Sequence, residues 1–139
     1  MKTITTFAIL LATAVFAHAQ TFTARTITLQ GDTPVVFRGV INTVYLPVPD
    51  DFELGPVQSG YFLFTSDDYT ITIKDISGET THVKNQQMFQ LTPSEEQAKQ
   101  FEPILGKPVE VKARLMPCQT RYHRTPILLI DLSFKTIKP

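Results

Sequence analysis

Alternating apolar and polar positions predict β-strands along most of this chain. The clearest alternation is at 109–115, where small and aliphatic side chains are separated by charged ones, so one face points to a core and the other to solvent. Five more segments are rich in β-branched and aromatic residues, which favour strands: 35–46, 61–64, 69–74, 83–91 (the weakest) and 127–137. In the last strand the alternation predicts one shared face for Ile130, Leu132 and Phe134.

Three local signals refine these elements. Gly39 inside the first strand predicts a bulge or a sharp bend. The polar run Ser66-Asp67-Asp68 predicts a turn between two strands. Thr92-Pro93-Ser94-Glu95 has the spacing of a capping box with Thr92 as the N-cap, so it predicts the one convincing helix, which runs to about Phe101.

The order of these elements indicates the fold class. A single helix between the third and fourth main strands of a small closed sheet is the plan of the OB-fold. A bent first strand fits this plan, because that strand must serve both halves of the barrel. We therefore expect an all-β protein, an OB-fold-like five-stranded β-barrel with one short α-helix. A different small β-barrel or an α+β roll remains the alternative.

The first nineteen residues have the pattern of a secretory signal peptide. Lys2 is followed by an apolar run at 8–16 and by Ala17-His18-Ala19, which predicts cleavage between Ala19 and Gln20. The run is too short for a stable membrane span, and no second one follows. We therefore expect three parts: a signal peptide at 1–19, a polar and loosely held N-terminal arm at 20–34, and a barrel domain at 35–139. The expected location is the periplasm or the medium, without stable membrane insertion.

Composition adds two constraints on the exported chain. Cys118 is the only cysteine, so an internal disulfide is excluded and the fold depends on packing alone. Charge is distributed unevenly: residues 20–106 carry 5 basic and 11 acidic residues, whereas residues 107–139 carry 7 basic and 2 acidic residues. Such a division predicts an acidic and a basic face, unless the two parts interleave in space.

The loop between the fourth and fifth strands, at 116–126, holds the richest chemistry. Loops at this place often bind ligands in OB-folds. Arginine forks recognise carboxylates or phosphates, and a tyrosine ring offers a flat stacking surface. A solvated polar loop is the alternative. The predicted binding residues, with two cations of the adjacent strand included, are Arg121, Tyr122, His123, Arg124, Lys112 and Arg114.

Metal binding has weaker support. Cys118 and His123 lie five residues apart, but a structural zinc site usually has four protein ligands and His82 is the only other histidine after the signal peptide. The acidic residues of the first long loop, Asp50, Asp51 and Glu53, lack the spacing of a calcium loop. We therefore expect no metal and no cofactor.

Catalysis and nucleic-acid binding are also disfavoured. The chain has no serine elbow, phosphate loop or paired-histidine motif, and a Cys118–His123 nucleophile pair depends on a geometry that sequence does not show. Tyr61, Phe62 and Phe64 offer rings on which bases stack, but export and a slightly acidic exported chain argue for a place in the core. We expect a protein that is not an enzyme and has no nucleic-acid partner.

Several motifs in the C-terminal half resemble a known family. They are Gln90-Leu91-Thr92-Pro93, the run from Pro103 to Val111, Leu115 and the run from His123 to Leu129. Over residues 83–130 the chain resembles the family described as domain of unknown function 4431, which consists of short exported bacterial proteins. Members often have glycine at the position of Ala113 and several histidines where this chain keeps His123. The resemblance implies a bacterial envelope protein and brings no established activity.

Together these observations predict an exported bacterial binding protein without catalytic activity. Its expected partner is an envelope protein, engaged through the strand 4–5 loop, and an inhibitor or immunity protein is one form of this role. The alternative is a periplasmic OB-fold module that binds a small anionic ligand or a metal ion.

Overall fold

The computed structural model describes residues 23–30, 32–47, 57–75, 77–120 and 123–138. The predicted signal peptide and its cleavage point lie outside these residues. A short 3₁₀ turn, Glu102–Ile104, follows the α-helix. The helix and strands are β1 (Thr23–Gln30), β2 (Val35–Pro47), β3 (Val57–Lys74), β4 (Thr80–Leu91), α1 (Glu95–Phe101), β5 (Pro108–Pro117) and β6 (Ile127–Thr136).

Five strands form a closed ring of hydrogen-bonded neighbours in the order β3-β2-β5-β6-β4, and β4 pairs again with β3. All pairings in this ring are antiparallel except that of β4 with β6. The α-helix lies in the chain between the third and fourth strands of the ring. The expectation of an all-β, OB-fold-like, barrel-like domain with one short helix is therefore confirmed. The predicted strand 4–5 loop becomes the β5–β6 loop.

Gly39 marks the point where β2 passes from one neighbour to the other. Residues 35–40 of β2 pair with β5, and residues 39–47 pair with β3. A Cβ atom at Gly39 would lie 2.1 Å from the backbone oxygen of Phe64. Glycine is required here because the two backbones approach too closely for any side chain.

The turn predicted at Ser66-Asp67-Asp68 is wrong, because β3 continues through it. Phe64 lies opposite Met88 and Tyr69 lies opposite Gln86, so four residues of β3 face Gln87 alone. The buried hydroxyl of Thr65 fills this bulge, 2.8 Å from the oxygen of Asp67 and 3.0 Å from that of Gln87. Polar residues typical of turns are tolerated in the strand because the bulge frees them from pairing with β4. On its other side, β3 pairs Asp67 and Asp68 with an N-terminal strand.

The helix start was predicted two residues too early. Ser94 is the N-cap, and its hydroxyl accepts from the backbone N–H of Gln97, whose side chain accepts in turn from the backbone N–H of Ser94. Thr92 directly follows β4, and both its N–H and its hydroxyl donate to the oxygen of Leu129 in β6. Thr92 is thus held against the sheet, and Ser94 takes the N-cap position.

Most of the expected loose arm is a strand. β1 pairs in parallel with residues 67–74 of β3, outside the five-stranded ring. Ile27 and Leu29 are partly buried against the core, and the other side chains of β1 are exposed. The Arg25 Nε donates to Asp67 Oδ2 at 2.5 Å. Ile27 and Leu29 are two residues apart and so share the inward face, and threonine favours strands. The segment therefore forms a strand, although it is polar overall.

The barrel interior is filled by aromatic and aliphatic side chains. Phe37 contacts the rings of Tyr69 and Phe89, with centroids 5.0 and 4.9 Å away. Phe101 of the helix packs against the rings of Tyr61 and Phe134. The inward set predicted for the alternating strand is confirmed by burial of Val109, Val111, Ala113 and Leu115.

Candidate functional site

The β5–β6 loop is closed at its base and held in shape by its own backbone. The N–H of Cys118 donates to the oxygen of Pro126 at 2.8 Å, which joins the two ends of the loop. Closer to the tip, the N–H of His123 donates to the oxygen of Thr120 at 3.0 Å. The described part of the loop is therefore a structured turn.

The imidazole of His123 organises the tip of this loop. Its Nδ1 accepts hydrogen bonds from the backbone N–H groups of Gln119, at 2.9 Å, and Thr120, at 3.3 Å. Nδ1 is thus occupied by two backbone donors of the same loop. Only Nε2 remains for a contact with another molecule.

Gln90 of β4 joins this loop to the barrel. Its side-chain oxygen accepts from the N–H of Arg124 at 2.5 Å, and its backbone N–H donates to the hydroxyl of Thr125 at 3.0 Å. That buried hydroxyl donates to the oxygen of Ile127 at 2.7 Å. The C-terminal arm of the loop is thus fixed on the outer side of β4.

Beneath the loop, the buried side chain of Gln86 links β4 to β6. Its Nε2 donates to the oxygen of Ile127 at 2.8 Å and to that of Met88 at 2.9 Å, while its Oε1 accepts from the N–H of Ile127 at 3.2 Å. Sequence reasoning missed both Gln86 and Gln90. The only signal that pointed to them was an amide side chain within a strand.

The structure describes four of the six predicted binding residues and places these four in two separate regions. His123 and Arg124 lie in the β5–β6 loop, whereas Arg121 and Tyr122 lie outside the described residues. Lys112 and Arg114 lie on the outer face of β5, five and three residues before its end at Pro117. At about 3.3 Å per residue, they are about 17 and 10 Å from the loop along the strand.

Carboxylates offset the charge of Arg114. Its guanidinium pairs with Asp131 of β6 and, at 2.9 Å, with Asp32 before β2. The hydrogen bond that the guanidinium donates to Asp131, aided by the charge and the hydrogen bond of Asp32, raises the pKa of this guanidinium further above its ordinary value. Arg114 therefore adds little to a positive field around the loop. Its role in the described structure is to join β5, β6 and the turn that precedes β2.

Cys118 is exposed, and its thiol is not part of a disulfide. Its Sγ lies 3.5 Å from the oxygen of Thr120 and 3.8 Å from that of His123, so the thiol contacts backbone acceptors. The His123 Nδ1 is taken by two backbone donors, so it is not placed to accept the thiol proton.

Metal-ligating side chains are dispersed in the part of the chain that the structure describes. Within it, no three or more histidine, cysteine, aspartate or glutamate side chains are grouped to hold an ion. Asp50, Asp51 and Glu53 of the first long loop lie outside the described residues. No helix of the described segments is long and apolar enough to cross a bilayer.

A family match covers the region that contains this loop. Residues 88–133 match the family described as a domain of unknown function (DUF4431). The match runs from the end of β4 through α1, β5 and the β5–β6 loop into β6, and it confirms the family resemblance read from the sequence. The chain matches no curated protein and no solved structure.

Proposed function

We propose that this chain is an exported bacterial binding protein without catalytic activity. It engages an envelope protein partner through the β5–β6 loop. The observation that supports this proposal is the way the loop is held. Hydrogen bonds fix it at its base, at its tip through His123, and on β4 through Gln90.

A loop held in this way suits recognition. Binding orders the groups at an interface, and a surface already ordered avoids much of that cost. The part of the loop that these hydrogen bonds hold exposes Cys118, Gln119 and Thr120. The chain places two arginines, a tyrosine and a histidine directly after them. Arginine and tyrosine are enriched at the energetic centres of protein interfaces.

The hydrogen bonds that hold the loop favour a protein over a small anion as its ligand. Backbone N–H groups that converge on a free space can form an anion site. Here the N–H groups of Gln119 and Thr120 are directed at the His123 ring, so they are already satisfied. An anion would have to displace the imidazole to reach them.

Export remains part of the proposal and rests on residues 1–19. The charged start, apolar run and small-residue cleavage site support delivery to the periplasm or the medium. The match to a family expected in the bacterial envelope supports the same location.

Photo-crosslinking tests the proposal. A photoreactive amino acid replaces Thr120 in the loop, and a matched control carries it at the exposed Ser77 in the β3–β4 turn. The mature chain, 20–139, is irradiated in the envelope of its host. We expect one stoichiometric adduct from position 120 and none from position 77. This adduct should be lost in the Arg121→Ala/Arg124→Ala double variant.

Other results would contradict the proposal in different ways. No adduct, or the same adducts from both positions, would mean that the loop is not a protein-binding site. Stabilisation of the chain by phosphate, sulfate or zinc in a thermal-shift assay, with no adduct, would favour a small ligand instead.

A further inference from the structure

A groove lies between β1 and the first half of β2, away from the β5–β6 loop. β1 is paired with β3 on one side, and residues 35–38 of β2 are paired with β5 on one side. Among the described strands, these two edges are not paired with each other. The groove between them has a volume of ≈ 350 Å³ and is lined by Arg25, Thr26, Ile27, Val35, Val36 and Tyr69.

The groove extends across the outer face of the barrel. A second hollow of ≈ 240 Å³ shares Val36 and continues along Lys112, Ser133 and Lys135. Val36 and Lys112 are register partners between β2 and β5. The Val36 residue is 49% exposed, which makes it one of the few large apolar side chains on the described surface. Val36 is therefore the exposed apolar side chain that the two hollows share.

The charged residues that line this surface are mostly cationic. Arg25, Lys112 and Lys135 line it, and Glu110 is the one carboxylate among the lining residues. Glu110 is itself held by Lys135 and by Arg38, each at 3.2 Å. These contacts, first that of Lys135, lower the pKa of Glu110, so the carboxylate stays ionised and is offset by its two cations. Arg25 is itself paired with Asp67. With these two carboxylates counted against the lining cations and Arg38, the described surface keeps a net positive charge and is complementary to negative charge.

Tyr69 lines the groove from below, although only 5% of its surface is exposed. Its ring packs against Phe37 and Phe89 in the barrel interior, so the residue joins the groove to the core.

We propose that an extended acidic peptide segment of a partner protein docks in this groove as an added strand. Its backbone pairs with the free edges of β1 and β2, one apolar side chain covers Val36, and its carboxylates meet Lys112, Lys135 and Arg25. Strand edges with unpaired N–H and C=O groups accept a peptide in this way, and the side-chain pockets give specificity. This site uses no residue of the β5–β6 loop, so its failure would not bear on the proposed function.

Fluorescence anisotropy with the mature chain tests this site. The probe is a fluorescein-labelled heptapeptide of glutamates with one central valine, so that valine and glutamates share a face of the strand, and its matched control has lysine in place of glutamate. We expect the acidic peptide to bind about tenfold or more tightly than the basic one, with affinity falling as salt is added. Equal binding of both peptides, or no binding of the acidic one, would overturn the proposal.

Variants locate the binding. Val36→Asp places a like charge at the centre of the groove, and Lys112→Ala/Lys135→Ala removes two lining cations; each is expected to weaken binding about tenfold. Lys84→Ala/Lys99→Ala removes the same charge from exposed positions elsewhere and is expected to leave affinity unchanged. An equal loss in this control would reduce the effect to non-specific attraction and overturn the site.

A modified peptide tests whether a strand is added. Methylation of alternate backbone nitrogens removes the donors of one edge and leaves every side chain in place. Because the added strand pairs with β1 on one edge and with β2 on the other, we expect methylation of either edge to weaken binding. Unchanged binding by both methylated forms would overturn docking by strand addition.

Discussion

The side chain of Gln86 forms with Ile127 the two hydrogen bonds that a backbone peptide would form. Its amide donates to the oxygen of Ile127 at 2.8 Å and accepts from its N–H at 3.2 Å. The backbone pairing of β4 with β6 covers only Gln90 with Leu128 and Leu91 with Leu129. The side chain thus extends the closure of the ring past the point where the two backbones separate.

Gln86→Leu removes this extension. The substitution introduces an apolar side chain of similar size but leaves the N–H of Ile127 without its Gln86 acceptor in a buried site, whereas the oxygen of Ile127 keeps the hydroxyl of Thr125 as a donor. Because a buried polar group without a partner costs about 1–3 kcal/mol, we expect a loss of about 1–3 kcal/mol in the free energy of unfolding. Urea denaturation followed by circular dichroism measures it.

Gln100→Leu is the matched control for this prediction. Gln100 is exposed on α1, so the same change is expected to alter stability by no more than about 0.5 kcal/mol. A similar loss in both variants would show that the Gln86 amide does not close the barrel.

Gly39→Ala tests the close approach of β2 and β3. The added Cβ would lie 2.1 Å from the backbone oxygen of Phe64, which cannot turn away as a side chain can. We expect a loss of about 2–3 kcal/mol in thermal or urea unfolding, the cost of forcing atoms into a packed core. Gly78→Ala, where a positive φ is required but the space is open, is expected to cost about 1 kcal/mol. A smaller loss at Gly39 than at Gly78 would contradict the argument.

The alternation of apolar and polar residues predicted a strand correctly where the strand is regular, and failed where a bulge interrupts it. The alternation at Val109–Leu115 placed β5 correctly because its period is uninterrupted. The face predicted in β6 is wrong at Ile130, which lies opposite the outward Arg114, while Leu132 is buried. A bulge at Asp131, whose φ is 50°, shifts the register between them. A bulge of this kind leaves little trace in the hydrophobic pattern.

The sequence likewise predicted one part of the candidate site, the loop, and missed another, the contacts that hold it. The composition of 116–126 identified the loop, since arginine, histidine and tyrosine stand together in the sequence. Its anchors were not predictable, because Gln86 and Gln90 bond to residues 41 and 34 positions away. Such contacts depend on the closed ring, which brings β4 beside β6. The salt bridges that occupy Arg114 were missed for the same reason.

His123→Ala is expected to loosen the tip of the β5–β6 loop without unfolding the barrel. The backbone N–H groups of Gln119 and Thr120 lose their acceptor, but both residues are exposed and water replaces it. Amide hydrogen exchange by NMR should show lost protection at these two positions, with core amides unchanged. His123→Asn, whose side-chain oxygen can accept the same bonds, should restore part of the protection. Unchanged exchange in the alanine variant would mean that the ring does not organise the loop.

Glu110 is expected to make the stability of the barrel depend on pH in the acid range. Its contacts with Lys135 and Arg38 lower the pKa of the folded carboxyl below that of the unfolded chain. The stabilisation is therefore complete above the ordinary glutamate pKa of about 4.3 and is lost as the pH falls through the lower folded value. Thermal unfolding of the wild type and of Glu110→Gln, measured from neutral pH into this range, should converge as the acid removes the charge. Glu79→Gln changes an exposed turn residue and should keep the wild-type profile. If Glu110→Gln instead followed the wild type at every pH, the two ion pairs would contribute nothing to stability, as is common for exposed pairs.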